Sequence, residues 1–150
     1  MAEDRGKESY IPYYFGVEIE GIQTAQFSKC EGLEAETYIY EVEEGGLNSN
    51  THKFIGRTRF PNIILERGVT ETNDLYKWHK STTMGDGKIE RKDGAIVMYD
   101  GTGRELKRWN FFRALPCRWV GPRLGKDVHG IAIERIEIAH EGIEIDESGA

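Results

Sequence analysis

Residues 62–78 read NIILERGVTETNDLYKW, and the hydrophobic period changes inside them. Ile63, Ile64 and Leu65 are consecutive strand-favouring residues, which fill both faces of a strand. Arg67-Gly68 then reads as an exit turn, where glycine takes a backbone geometry that a β-branched residue adopts only at a cost. Thr70, Thr72, Asn73 and Asp74 are all helix N-cap types, and Glu71 and Asp74 place negative charge at the helix start. Leu75, Trp78 and His79 fall at i, i+3 and i+4, one helical stripe. Lys77 and Lys80 suit the C-terminal end. The spacing predicts a short helix from about Asn73 to Ser81 in a chain that otherwise reads as strands. Leu75 and Trp78 are expected to pack it on the outside of a sheet or on a neighbouring subunit.

Upstream, Tyr13, Phe15, Val17 and Ile19 alternate with Glu18 and Glu20, the pattern of a half-buried strand. Gly21 punctuates it, and Ile22–Cys30 follows, so these two runs are expected to form a hairpin. Glu36–Glu43 alternates again, with Tyr38, Tyr40 and Val42 on one side. Glu18, Glu20, Glu41 and Glu43 are therefore candidates for a solvated wall. The stretch EEGGLNSNTHKFIGR, 43–57, combines glycine pairs, Asn and Ser with few apolar residues. It predicts an extended loop or projecting hairpin arm over 44–58. Phe60–Arg67 resumes as a strand.

Downstream, strands are expected at Lys88–Tyr99, Glu105–Ala114, Arg118–Val120 and in a long run from Val128 to Ile145. GDG at 85–87 is a turn, and DGTGR at 100–104 links a hairpin. Ile131 and Ile133 share one parity while Ile136 and Ile138 share the other, which a bulge near Glu134-Arg135 or burial of both faces would reconcile. Ala95–Tyr99 and Trp109–Phe112 also carry apolar residues on both faces. The fold class is mainly β: an antiparallel β-sandwich or barrel with one short α-helix, one domain over 1–150, with residues 1–9 loose. More apolar faces than one small interior needs imply that the helix, other subunits or both cover the surplus.

The formal net charge is −6 over 150 residues. An acidic chain is a poor general binder of nucleic acid or anionic membrane. No window approaches ~18 consecutive apolar residues, so no membrane anchor is expected, and the N-terminus has no apolar signal region. Cys30 and Cys117 lack C-x-x-C spacing and read as packed thiols in a reducing compartment, with a disulfide between them left open. Synthesis and assembly in the cytoplasm are expected.

Chemistry is sparse. Histidines 52, 79, 129 and 140 are scattered without metal-ligand spacing. GDGK at 85–88 has Ile89 where a phosphate loop needs Ser or Thr, so a β-turn is the better reading. No G-x-S-x-G occurs, and no Ser or Cys has a base nearby in sequence. Arg118 could depress the thiol pKa of Cys117, though a packed thiol beside Trp119 is the simpler reading. Trp109, Phe111, Phe112 and Trp119 suit core or interface before a stacking platform. No catalytic residue, metal site or cofactor is expected. A β-sandwich enzyme or carbohydrate-binding module using Trp109 and Trp119 is the alternative of a different class.

Five stretches in order, FSKCEGLEAE (27–36), VEEGGLN (42–48), GRTRFPNIILERGVTETNDLYKW (56–78), WNFFRALPCRWVGPRL (109–124) and IAIERIEIAHEGIEI (131–145), resemble the tail tube family of contractile-tailed phages and the inner tube proteins of phage-tail-like contractile injection systems. The strongest element is Leu65, Arg67, Gly68, Val69 and Thr70 followed by a short helix ending at Trp78. Ile55 departs from the family pattern, which has Pro before the glycine. The resemblance implies hexameric rings that stack into a hollow conduit, with sheets of neighbouring subunits joined into a lumen-lining barrel. It implies a contractile sheath that drives the tube through a target envelope, baseplate and tube-terminating proteins as partners, and a tape-measure protein, effector cargo or phage DNA in the lumen. It carries no catalytic residues. The arm then becomes the candidate ring-stacking element, with Glu43, Glu44, Gly45, Gly46 and Asn48 at one end and Lys53, Arg57 and Arg59 at the other. A secreted type VI ring protein shares the architecture and is the nearer alternative.

Overall fold

The computed structural model describes residues 13–22, 27–43, 51–83, 89–127 and 130–147. Their elements in chain order are β1 (Tyr13–Ile19), β2 (Phe27–Glu31), β3 (Glu36–Glu43), β4 (Thr51–Arg59), β5 (Ile63–Gly68), α1 (Asp74–Thr83), β6 (Lys92–Asp100), β7 (Glu105–Val120), β8 (Ile133–Ala139) and β9 (Gly142–Ile145). The main sheet has the order β1-β6-β7-β8-β5-β2, with β9 also on β7; β3 and β4 form a separate two-stranded sheet. Every pairing is antiparallel.

β7 organises the fold. Its first half pairs with β6 and β9, and its second half with β8. One layer is thus β1-β6-β7-β9 and the other β7-β8-β5-β2, with β7 shared as a corner strand. The bend falls at Arg113, whose φ of 50° lies in the left-handed region; its amide donates to Asp93 Oδ1 at 2.9 Å. Expected as two strands, 105–114 and 118–120 are one, because Pro116 sits beside a register irregularity where its missing N–H is tolerated. The expected run to Ile145 is instead broken at His140-Glu141, where β8 hands over to β9. The ring nitrogens of His140 lie 3.2 and 3.0 Å from the Gly142 and Pro61 carbonyl oxygens there.

Among the described residues the expected hairpin of β1 with the following run does not form: β1 pairs with β6 and β2 with β5, and β1 is joined to that run by an isolated bridge, Ile19↔Ile22. The path has β1 and β2 at its ends and does not close, so the architecture is an open sandwich. Gly94 makes the close approach of β1, β6 and β7 possible: a Cβ there would lie 2.4 Å from Phe111 Cζ and 2.5 Å from the Glu18 carbonyl oxygen.

The interior joins Val17, Ile96 and Phe111 of one layer to Ile63, Leu65, Ile136 and Ile138 of the other. Each such side chain contributes roughly 1.5–3 kcal/mol by leaving water. Helix α1 spans Asp74–Thr83, against the expected 73–81, with the Asn73 carbonyl accepting the first helical bond from Lys77 at 2.9 Å. Ser81, Thr82 and Thr83 donate their hydroxyls back to the carbonyls of Trp78, His79 and Lys80. Leu75 and Trp78 belong to the same interior cluster. The helix therefore packs on the sheet of its own chain through these two side chains and completes its core.

Two further expectations change. Arg67 is inside β5, not in an exit turn, and is fully buried. No bulge occurs at Glu134-Arg135: β8 pairs with β5 in unbroken register from Ile63↔Ile138 to Gly68↔Ile133. Ile131 and Ile133 are simply exposed, and Glu134 occupies the core-facing position in phase with Ile136 and Ile138. A buried carboxylate in that row is stable only because Arg67 lies directly opposite it.

Candidate functional site

Among the described residues no group of three or more His, Cys, Asp or Glu is placed to hold a metal ion. The candidate functional features are surfaces: an arm, a charged face and sheet edges that are free among the described residues.

The arm is the β3–β4 hairpin. Every residue of β3 is exposed, and so is all of β4 except Gly56. Register places Tyr40 opposite Phe54 and Val42 opposite His52 on one face, with Ile39 opposite Ile55 and Glu41 opposite Lys53 on the other. Tyr38 and Tyr40 pack edge to face at 4.7 Å, and a Cβ on Gly56 would lie 2.6 Å from the Tyr40 ring. Glycine at this irregular point lets the aromatic face lie flat. Isolated two-stranded hairpins are marginal in water, so an arm with apolar residues on both faces needs a partner surface. Glu36, Glu41 and Glu43 lie on β3, and Lys53, Arg57 and Arg59 on β4. Glu36 faces Arg59, and Glu41 faces Lys53, within the hairpin. The other arm residues singled out from sequence, Glu44, Gly45, Gly46 and Asn48, lie outside the described residues, as does the 1–9 segment that was expected to be loose.

The four wall candidates separate. Glu41 and Glu43 are on the arm. Glu18 is on the outward face of the β1-β6-β7-β9 layer, in a cross-strand row with Ala95, Asn110 and Glu144, and Glu20 follows it just past the end of β1. Arg108 crosses this face and donates to Glu18 Oε2 and Glu105 Oε1, each at 2.6 Å. Its hydrogen bonds to Glu18 and then Glu105 hold the guanidinium above its ordinary pKa against burial. Tyr14 and Tyr99 stack on the same layer at 5.1 Å. A depression of about 430 Å³ beside the clamp is lined by Glu18, Glu20 and Asp93. The outward face of the other layer is a ladder of mixed charge, with Lys29–Glu31 at 2.9 Å and Arg118–Glu137 at 3.6 Å.

Leu75 and Trp78 are buried inside the chain, and α1 is fixed there by charge. Arg67 Nε donates to Glu134 Oε1 at 2.6 Å, and Arg67 Nη2 to Asp74 Oδ1. Trp119 Nε1 donates to Glu134 Oε2 at 3.3 Å. Burial opposes the charge on Arg67, but the bonds to Asp74 and Glu134 outweigh it and raise its pKa. Burial likewise pushes Asp74 up, and Arg67 outweighs that to leave it below the usual carboxylate value. Sequence reading missed this trio. Its available signal was Glu134 in phase with two isoleucines.

Residues 12–144 match the family described as T4-like virus tail tube protein gp19. The chain belongs to that family. No curated protein sequence matches it. This tail tube protein is similar to a chain in the cryo-EM structure of an extracellular contractile injection system, the PVC sheath–tube complex in the extended state. Identity is 26% over 93% of each chain, with a TM-score of 0.81. It is equally similar to a chain of the anti-feeding prophage tube-terminating cap, at 27% identity over 97% of each chain and a TM-score of 0.81. Hcp1 from Flavobacterium johnsoniae shares the fold at 17% identity, over 88% of this chain and 94% of Hcp1, with a TM-score of 0.56. The tail tube family is structural, and the protein is a tube subunit of a contractile phage tail or phage-tail-like injection particle. No described helix is long and apolar enough to cross a membrane.

Proposed function

We propose that six copies of this protein form a ring, and that rings stack head to tail into the hollow inner tube of a contractile injection system or contractile phage tail. The family match over residues 12–144 carries this reading. The fold supports it physically. Among the described residues the β1-β6-β7-β9 layer ends in two strands with free edges, β1 and β9. Joining β1 of one copy to β9 of the next pairs those edges and removes an aggregation liability, in a heterologous contact that closes into a ring. The outward face of that layer, with Glu18 and Glu20, then forms the lumen wall. The mixed-charge face of the other layer turns outward toward a contractile sheath. Glu43, Lys53, Arg57 and Arg59 lie on the arm that joins rings, and exposed pairs there add only ~0.2–1 kcal/mol each; repetition around the ring sets register.

The conduit does no chemistry of its own. An acidic wall repels acidic cargo and lets a tape-measure protein, an effector or DNA slide. Baseplate and terminating proteins cap the two ends, and sheath contraction drives the tube through a target envelope. Synthesis and assembly take place in the cytoplasm, from a single domain over 1–150. The chains of the PVC sheath–tube complex and the anti-feeding prophage cap, at 26 and 27% identity, favour this over a type VI ring protein, with which only the fold is shared.

Negative-stain microscopy of the purified protein tests it: rings or tubes are expected. A strict monomer at every concentration, and no tube in a sheath-containing particle, would overturn it. Neighbouring genes for a type VI membrane complex, in place of a phage-type sheath and baseplate, would move the assignment to the type VI reading.

A further inference from the structure

The two legs of the arm meet the body of the chain at a narrow neck. The outgoing leg passes Gly32, whose φ of 97° is left-handed, and a Cβ there would lie 2.1 Å from the Asn62 carbonyl oxygen of the returning leg. Asn62 Nδ2 donates to Cys117 Sγ of β7 at 3.4 Å. One residue earlier, the Pro61 carbonyl oxygen lies 3.0 Å from His140 Nε2. The other ring nitrogen, Nδ1, lies 3.2 Å from the Gly142 carbonyl oxygen. The imidazole stands between the ring of Phe60, 5.9 Å away on the returning leg, and that of Phe111, 6.4 Å away in the core. His140 thus touches the neck of the arm, β7 and the start of β9 at once.

Both oxygens facing the ring are backbone carbonyls, which only accept. A neutral imidazole has one N–H, so it bonds one carbonyl and turns a lone pair toward the other. The imidazolium has two N–H groups and bonds both. We propose that His140 is a proton-operated latch on the neck of the arm. Protonated, it ties Pro61 to Gly142 through two donated bonds; neutral, it holds one end and lets the root of the arm shift. The charged groups on the surrounding elements are already paired. Glu141, beside it in the turn, is bridged by Arg113 of β7 at 2.8 Å and by Arg91, ahead of β6, at 3.5 Å. Asp93 of β6 accepts from the Arg113 amide, and Arg59, at the end of β4, stands opposite Glu36. Carboxylates and guanidiniums keep their charge between about pH 5 and 8, where histidine changes its own. The Cys117 thiol, raised by burial, is not the group that titrates there.

Hydrogen exchange followed by mass spectrometry, corrected for the intrinsic effect of pH, reads the latch in peptides spanning the neck. Protection there is expected to be about tenfold greater at about pH 5.5 than at about pH 8, the scale of one charge-assisted hydrogen bond. His140→Gln, neutral at both values, is expected to abolish the difference. His52→Gln, on the arm itself, is expected to keep it. Nitrogen-15 NMR of the histidine-labelled wild-type protein needs no substitution beyond the one that assigns the signal: at about pH 5.5 both ring nitrogens of His140 are expected to carry protons. Equal protection at the two pH values, a difference that survives in His140→Gln, or a bare ring nitrogen on His140 at the lower pH would each overturn the latch. A protein that shows the latch but forms neither rings nor tubes would overturn the tube reading and leave the latch standing.

Discussion

Arg67 and Glu134 face each other across β5 and β8, with Nε donating to Oε1 at 2.6 Å and both side chains withdrawn from water. The pair fastens the start of the helix to the sheet, since the same guanidinium also holds Asp74.

Breaking this pair leaves an uncompensated buried charge. Arg67→Met or Glu134→Met is expected to cost about 3–5 kcal/mol. The double variant should cost less than the sum of the singles, because it removes both charges together. Urea denaturation of the four proteins measures the coupling; strict additivity would show that the two residues do not act as a unit.

Asp74 gives the fold an acid sensitivity. Its folded pKa lies below its unfolded one, because Arg67 outweighs the upward push of burial. In the window between the two values the unfolded chain binds more protons, so stability rises with pH there. The contribution is present in full above the ordinary Asp range and is lost as pH falls through the folded value. Melting temperature should therefore drop on going from neutral pH toward pH ~3, and Asp74→Asn should flatten part of that slope. An unchanged slope in the variant would remove Asp74 from the account.

Trp78 is 4% exposed, and its indole N–H reaches the Glu90 carbonyl at 3.4 Å. Trp78→Ala is expected to destabilise the subunit by about 3–5 kcal/mol, through lost burial plus a cavity. Ring yield should fall with it. Wild-type stability together with wild-type rings and tubes would contradict the placement of this side chain in the core.

The thiols should differ from reactive cysteines in the same way, to unequal degrees. Burial, helped by Glu31, pushes Cys30 up to about 11, and Cys117 is raised by burial and then Glu137. The thiolate is the reactive form. At pH 8, iodoacetamide is expected to modify Cys117 slowly and Cys30 only after unfolding, which mass spectrometry of the alkylated peptides resolves. Prompt labelling of Cys30 in the folded protein would refute the placement.

Residues 62–78 determined much by themselves. The switch from consecutive apolar residues to an i, i+3, i+4 stripe is a local property of the chain, and it located β5, α1 and the two side chains that α1 buries. Alternation did the same for Glu36–Glu43, which is β3, and the glycine-rich stretch after it pointed to the arm. Pairing was not local. Sequence proximity suggested that β1 would fold onto the run after Gly21, yet β6 offers it seven paired residues through the close approach at Gly94. Pro116 read as a break because its effect depends on whether a neighbouring strand needs its N–H. The parity conflict around Glu134 could be resolved only by knowing that Arg67 stands opposite. A lone glutamate in a row of isoleucines is destabilising until a cation 67 positions away satisfies it. Sequence thus determined periods, the turn at 100–104 and family, which depend on neighbours a few residues apart. Tertiary structure decided strand order and the corner at Arg113, because each depends on which distant backbone groups meet.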